Sequence, residues 1–234
     1  MKSTRSRLDR FISQELCIKK QDVRLLIAQN RVQVDNKKAL SVDQIISNFS
    51  RVEVDGQLLQ CNTPHYIMIN KPINVVSATK DAQHKTVIDL LPFTFKHDLH
   101  IVGRLDLKST GLLLLTNDSR WSRQLMSPES KVSKQYRVTL EETVTADYVE
   151  AFEKGMYFSY EDITTRPVKL KIISNHVAEL ELTEGRYHQI KRMFGRFRNP
   201  VLELHRFAIG NLSLDANLAS GESRLLSKTE MEKI

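Results

Sequence analysis

Asp106 has the most suggestive chemical setting of any ionisable residue in the chain. Arg104 lies two positions before it in Gly103-Arg104-Leu105-Asp106, and the four leucines 112–115 follow, closed by Thr116-Asn117-Asp118. A carboxylate at the mouth of such a strand either caps a turn by accepting from nearby backbone N–H groups, or acts as a base or nucleophile. From these local residues alone the turn cap is the default, and the rest of the chain has to decide.

Several chemistries can be set aside from residue types and spacing. The seven histidines never take a ligand spacing such as HxxxH, and the two cysteines, Cys17 and Cys61, lack CxxC spacing. No metal site and no disulfide framework are therefore expected. No Walker A or GxGxxG run is present, so no nucleotide cofactor is expected either. Pairing Asp106 with Asp118 as a glycosidase acid and base fails on distance. A strand lies between them, and at about 3.3 Å per residue their separation exceeds the usual carboxylate gap.

What remains is one carboxylate with cations that could hold it ionised: Arg104 nearby, and Lys191 or Arg192 from a distant basic segment. Tyr136 offers a flat face on which an extruded base could stack. An enzyme that acts on a base in structured RNA must take it out of the stack, and a side chain such as Arg104 could fill the gap. One carboxylate, a cation and an aromatic, with no cofactor, suit base rearrangement.

The elements that must position these residues follow from periodicity. Leu8, Phe11, Ile12 and Leu16 share a helical face, and Val23, Leu26 and Ile27 mark a second helix over 21–29, with Asn30 at a left-handed C-terminal position. Alternation predicts short strands at 31–34 and 51–54, each followed by a turn. Gln60 to His65, interrupted by Pro64, reads as a linker. A strand at 66–69 ends at Pro72, and 86–91 reads as a short helix stopped before Pro92.

The leucine run reads as a strand buried on both faces. A helix over 119–126 follows, then a strand over 134–140 with Tyr136, Val138 and Leu140 on one face. Thr145 caps a helix that Gly155 closes, and 167–173 with 177–183 form a hairpin. A helix over 187–197 buries Ile190, Met193, Phe194 and Phe197, and a strand at 201–205 follows. The fold class is α+β: a small N-terminal α/β domain over 1–60, then a body over 61–234 with a mostly antiparallel mixed sheet flanked by helices.

Composition agrees with a globular protein of 234 residues, 41% hydrophobic and 27% charged. No apolar run is long enough to cross a bilayer, and the basic start, Met1 to Arg7, has no apolar stretch after it, so neither a membrane partner nor a secretory signal is expected. Few cysteines fit a reducing cytoplasm. The net charge of +7 points to a polyanionic partner. Residues 1–60 carry eleven Lys/Arg against seven Asp/Glu, and the segment 186–198 has no acidic residue among its Arg and Lys. Two separated basic patches suit a protein that grips nucleic acid at two places.

Four motifs in order carry a family resemblance. Gly103-Arg104-Leu105-Asp106 with Ser109-Thr110-Gly111 and the leucine run resembles the catalytic motif of pseudouridine synthases. Tyr66 with Asn70-Lys71-Pro72, Lys134 with Tyr136, and Glu184-Gly185-Arg186-Tyr187-His188-Gln189-Ile190-Lys191-Arg192 match the same family. Arg7-Leu8-Asp9-Arg10-Phe11-Ile12 and Asn30-Arg31-Val32-Gln33-Val34-Asp35 resemble an S4 RNA-binding domain, which narrows the likeness to the RsuA branch acting on ribosomal RNA. Within that branch, Glu203-Leu204-His205-Arg206 is most similar to the small-subunit type.

The resemblance implies cofactor-free isomerisation of uridine: the N-glycosidic bond breaks, the base rotates, and it rejoins through carbon. It implies Asp106 as nucleophile, Arg104 filling the gap left by the flipped uridine, Tyr136 stacking on the base and Ile190 as an apolar wall. Lys191 is the implied cation beside Asp106, with Arg192 the second choice. The partner implied is ribosomal RNA or a small-subunit assembly intermediate, met by a cytoplasmic monomer. A large-subunit target, or a non-catalytic assembly factor on the same scaffold, is the rival expectation. The chain departs from the family at Asn30, Lys19-Lys20, Lys108, Ser119 and Arg198, none of them in the implied catalytic set.

Overall fold

The computed structural model describes residues 5–234, so Met1–Thr4 of the basic N-terminal segment lie outside the described residues. The chain divides into two compact units, Met1–Pro64 and His65–Ile234, and the division falls inside the polar stretch read as a linker.

In the first unit, helices Leu8–Glu15 and Lys20–Ala28 bury Leu8, Ile12, Val23 and Ile27 against Val32, Val34, Val52 and Val54. These valines alternate along strands Val32–Val34 and Val52–Val54, the middle pair of a four-stranded sheet with Lys37–Lys38 and Gln57–Gln60 outside. Asn30 is left-handed (φ 58°) just past the second helix, the position its short polar side chain suits. Asp35 and Asn36 are also left-handed and close a tight hairpin. Arg10, Lys20 and Arg24 on the two helices, and Lys19 just before the second, are exposed.

The second unit is α+β, built on one nine-stranded mixed sheet. Its strands are β1 (Tyr66–Lys71), β2 (His100–Val102), β3 (Thr110–Thr116), β4 (Lys134–Leu140), β5 (Lys169–Ser174), β6 (Val177–Leu182), β7 (Val201–Ile209), β8 (Leu212–Ser213) and β9 (Ser223–Leu225). The order is β5-β6-β4-β7-β3-β1-β9, with β8 on β7 and β2 on β3. Every pairing is antiparallel except β7 with β3. Helices α1 (Ser119–Met126), α2 (Ala146–Lys154) and α3 (Gln189–Gly195) pack against the sheet.

β3 runs through the centre with both faces buried. Leu113 and Leu115 join Ile67, Ile69, Val138, Phe152 and Phe194 on one side, while Leu112 and Leu114 join Met68, Val102, Leu125 and Ile209 on the other. Burial of each leucine is worth about 2 kcal/mol, which is why four in a row set a rigid axis.

One expected element is absent. Residues 86–91 form no helix: Thr86 makes a bridge with Val76 and a tight turn follows. The Asp89 carboxylate accepts from the Thr86 backbone N–H (2.8 Å) and hydroxyl (2.9 Å), so it closes a turn, and Pro92 bars continuation. The apolar signal was nonetheless real, since Val87, Ile88 and Leu91 are buried. Thr145 does precede α2, but its hydroxyl turns to Asp147 instead of capping the helix. Helix α3 is shorter than 187–197, because His188 is left-handed (φ 48°) and the chain turns again after Gly195.

Candidate active site

Asp106 lies in the segment between β2 and β3, which has no regular structure yet is fastened at several points. Ser77 grips Leu105 from both sides: its hydroxyl donates to the Leu105 carbonyl (2.8 Å) and accepts from the Leu105 N–H (3.0 Å). Asn74 N–H donates to the Leu107 carbonyl (2.8 Å), and Ser109 N–H donates to the Asp106 carbonyl (3.0 Å). The turn is thus closed by the backbone of Asp106, and its carboxylate is left for other partners.

Those partners come from α3 and the residue just before it. Lys191 Nζ lies 3.6 Å and His188 Nε2 3.4 Å from the same atom, Asp106 Oδ2. Two nitrogens converge on one carboxylate oxygen. The entrance of α3 is itself held by Glu184, which accepts from Gln189 Nε2 (2.8 Å), Arg166 N–H (2.9 Å) and Arg186 Nε (3.2 Å). The turn-capping role considered for Asp106 belongs instead to Asp118, which accepts from Arg120 N–H (2.9 Å) and Trp121 N–H (3.3 Å) at the start of α1.

Asp106 borders a cavity of about 480 Å³, a volume typical of small-molecule sites. Arg104, Tyr136, Ile190 and Lys191 also line it, so five of the six residues singled out in the sequence meet in one place. Arg104 is exposed, whereas Tyr136 and Ile190 are buried. Arg192 is the sixth and lies outside. Its guanidinium pairs with Glu161 and sits 3.8 Å from the Phe158 ring centre, so Lys191 and not Arg192 accompanies Asp106.

Three basic residues that the sequence showed only as motif members belong to this site. Lys71 is fully buried; its ammonium donates to the carbonyls of Ser109 (2.8 Å) and Pro72 (2.9 Å), tying β1 to the Asp106 segment. Burial pulls its pKa down to about 8, against the opposing attraction of Asp106. Arg206 on β7 is also buried and lies opposite Tyr136 in the sheet. Its Nε donates to the Leu112 carbonyl (2.8 Å) and its Nη1 to the Tyr136 hydroxyl (3.4 Å). Alternation held the signal for both: Lys71 follows Ile67 and Ile69 on the inward side, and Arg206 sits between Leu204 and Ala208. For His188 the sequence carried no such sign.

A fastened carboxylate flanked by an ammonium and an imidazole, in a pocket with an aromatic wall, can attack or deprotonate a flat polar substrate. Comparison with known proteins defines the class. A model of the RNA pseudouridylate synthase family matches residues 65–195, and the chain belongs to that family. It is 46% identical to ribosomal small subunit pseudouridine synthase A of Pseudomonas aeruginosa, over 96% of this chain and 98% of the relative. Identity to the protein of the same name in Escherichia coli strain K12 is 41%, over 97% and 99%. A crystal structure of a pseudouridylate synthase, 36% identical, superposes with a TM-score of 0.71 over 97% of this chain and 98% of the other.

Proposed function

We propose that this chain converts a uridine of small-subunit ribosomal RNA to pseudouridine, with Asp106 as the nucleophile and no cofactor. The observation that carries the reading is the convergence of Lys191 and His188 on Asp106 Oδ2 at the cavity wall. A carboxylate so paired is oriented as well as balanced in charge. The small-subunit target rests on the two full-length relatives of that name.

In this reading the uridine leaves its stack, the base lies on Tyr136 against Ile190, and Arg104 at the exposed mouth takes its place in the RNA. The bond from N1 to the sugar breaks, the base turns while held in the pocket, and a bond from C5 to the sugar forms. C5 gives up its proton and N1 gains one, so the reaction needs no external reactant. Lys191 and His188 keep the carboxylate in position throughout. Arg192 belongs to the scaffold, since Glu161 already neutralises it.

The first unit acts in this reading as an S4-like RNA grip whose exposed cations meet phosphates. The working partner is ribosomal RNA or a small-subunit assembly intermediate, and the protein serves as a cytoplasmic monomer. Among the described residues no helix is long and apolar enough to cross a membrane. Mapping pseudouridines in ribosomal RNA from cells with and without the gene tests the target. One small-subunit position should lose its modification, and an unchanged small-subunit map contradicts the proposal.

A further inference from the structure

Among the described residues, three tyrosines are exposed: Tyr157, Tyr160 and Tyr187. Of these, only Tyr187 lines the cavity that Asp106 borders. It is 76% exposed although its ring lies on the His188 imidazole, with ring centres 3.9 Å apart and planes at 22°. One face is covered by the imidazole, so the exposure belongs to the other face and the ring edge. His188 in turn reaches Asp106 Oδ2 at 3.4 Å. Tyr187 is thus an open aromatic surface one ring away from the Asp106 carboxylate.

The backbone builds this stack. Consecutive side chains of an extended chain point to opposite sides, but His188 is left-handed (φ 48°) and the next residue opens α3. That turn brings two neighbouring rings face to face. Arg192, one turn into α3, donates to the Tyr187 carbonyl (3.4 Å), and the Arg186 N–H donates to the Gln189 side-chain oxygen (3.1 Å). The chain is therefore held on both sides of Tyr187, and a ring presented to solvent on a fastened backbone loses little freedom when a ligand covers it.

We infer that Tyr187 is a stacking platform for the base next to the target uridine in the RNA strand. The inference rests on the reading that the cavity takes a flipped uridine, and it concerns a neighbour that stays outside. Extruding one nucleotide strips its neighbour of a stacking partner at the cavity mouth. Every base has a flat face, so an exposed aromatic replaces the lost contact whatever the base. Charge at this rim suits RNA: Arg104 and Arg186 are exposed on the same cavity lining, and residues 186–198 include no acidic residue. Tyr136 is buried, so the two tyrosines serve different nucleotides. A base on the outer face of Tyr187 extends the stack that ends at His188, which ties occupancy by RNA to the group beside Asp106.

The test is equilibrium binding of the full-length protein to an unmodified transcript of small-subunit ribosomal RNA spanning the converted uridine, with single-turnover kinetics on the same RNA. Tyr187→Leu should raise Kd about fivefold or more, and Tyr187→Phe should stay within about twofold of wild type. Transcripts made abasic at each neighbour of the uridine in turn complete the cycle. One of them should weaken wild-type binding by a similar factor and Tyr187→Leu binding by less than about twofold. Ultraviolet crosslinking should join the peptide that holds Tyr187 to that same neighbour. Slower turnover with an unchanged Kd in Tyr187→Leu means that the ring only steadies His188, and overturns the inference. Equal effects of the abasic sites in wild type and Tyr187→Leu, or a crosslink from Tyr187 to the uridine itself, overturn it too. Pseudouridine formation by wild type is scored separately. Where it proceeds and Tyr187→Leu binds like wild type, the platform fails and the proposed activity stands; where wild type converts no uridine, the activity fails and the platform with it.

Discussion

The polar residues around Asp106 divide into those facing its carboxylate and those fastening its backbone, and Lys71 bridges the two groups. Its ammonium is both a backbone clamp and a positive charge felt by Asp106. With a pKa of about 8 it loses that charge just above neutrality, while an unfolded lysine keeps its proton to about 10.5. Between these values the unfolded chain binds more protons, so stability rises with pH from about 8 to 10.5 on this account. Activity should move the opposite way, falling as Lys71 deprotonates. NMR titration of the Lys71 side chain alongside a pH–rate profile checks this, and a Lys71 midpoint above 10 contradicts it. At this scale the sequence was informative about Asp106, Tyr136 and Lys191 because motif order carried them. It named His188 in a motif but gave it no role, because its approach to Asp106 depends on a left-handed turn that residue type alone does not specify.

At the scale of elements, the site depends on how closely β7 approaches β3. Gly111 on β3 pairs with Arg206 on β7, has φ 102°, and leaves no room for a side chain: a Cβ there would meet the Arg206 carbonyl oxygen at 2.2 Å. Gly111→Ala should therefore destabilise the fold by about 3 kcal/mol and displace Arg206. A denaturation midpoint shift equivalent to less than about 1 kcal/mol contradicts the account. Strands with clean periodicity were legible, including the doubly buried leucines of β3 and the β5–β6 hairpin. The 86–91 segment was misread because buried Val87, Ile88 and Leu91 mimic a helix, whereas Asp89 closes a turn on Thr86. A parallel β7–β3 contact between residues almost a hundred positions apart has no local signature, which is why Arg206 was read only as part of a motif and given no place in the site.

On the scale of the whole molecule, two compact units each carry a distinct task in the proposed function: the first binds RNA backbone and the second performs the chemistry. Replacing exposed Lys19, Lys20 and Arg24 by Gln should lower the slope of log affinity against log salt by roughly 2, with turnover at saturating RNA unchanged. An unchanged slope contradicts a phosphate-gripping role for the first unit. The division into units was readable from Pro64 and the polar stretch around it, since such a segment offers little to bury. The central claim concerns the second unit, and one substitution tests it most directly. Asp106→Asn keeps the shape of the side chain and removes the carboxylate. Purified Asp106→Asn should fold, bind small-subunit ribosomal RNA and form no detectable pseudouridine where wild type converts its uridine. Pseudouridine formed by the variant at a rate near that of wild type would contradict the account.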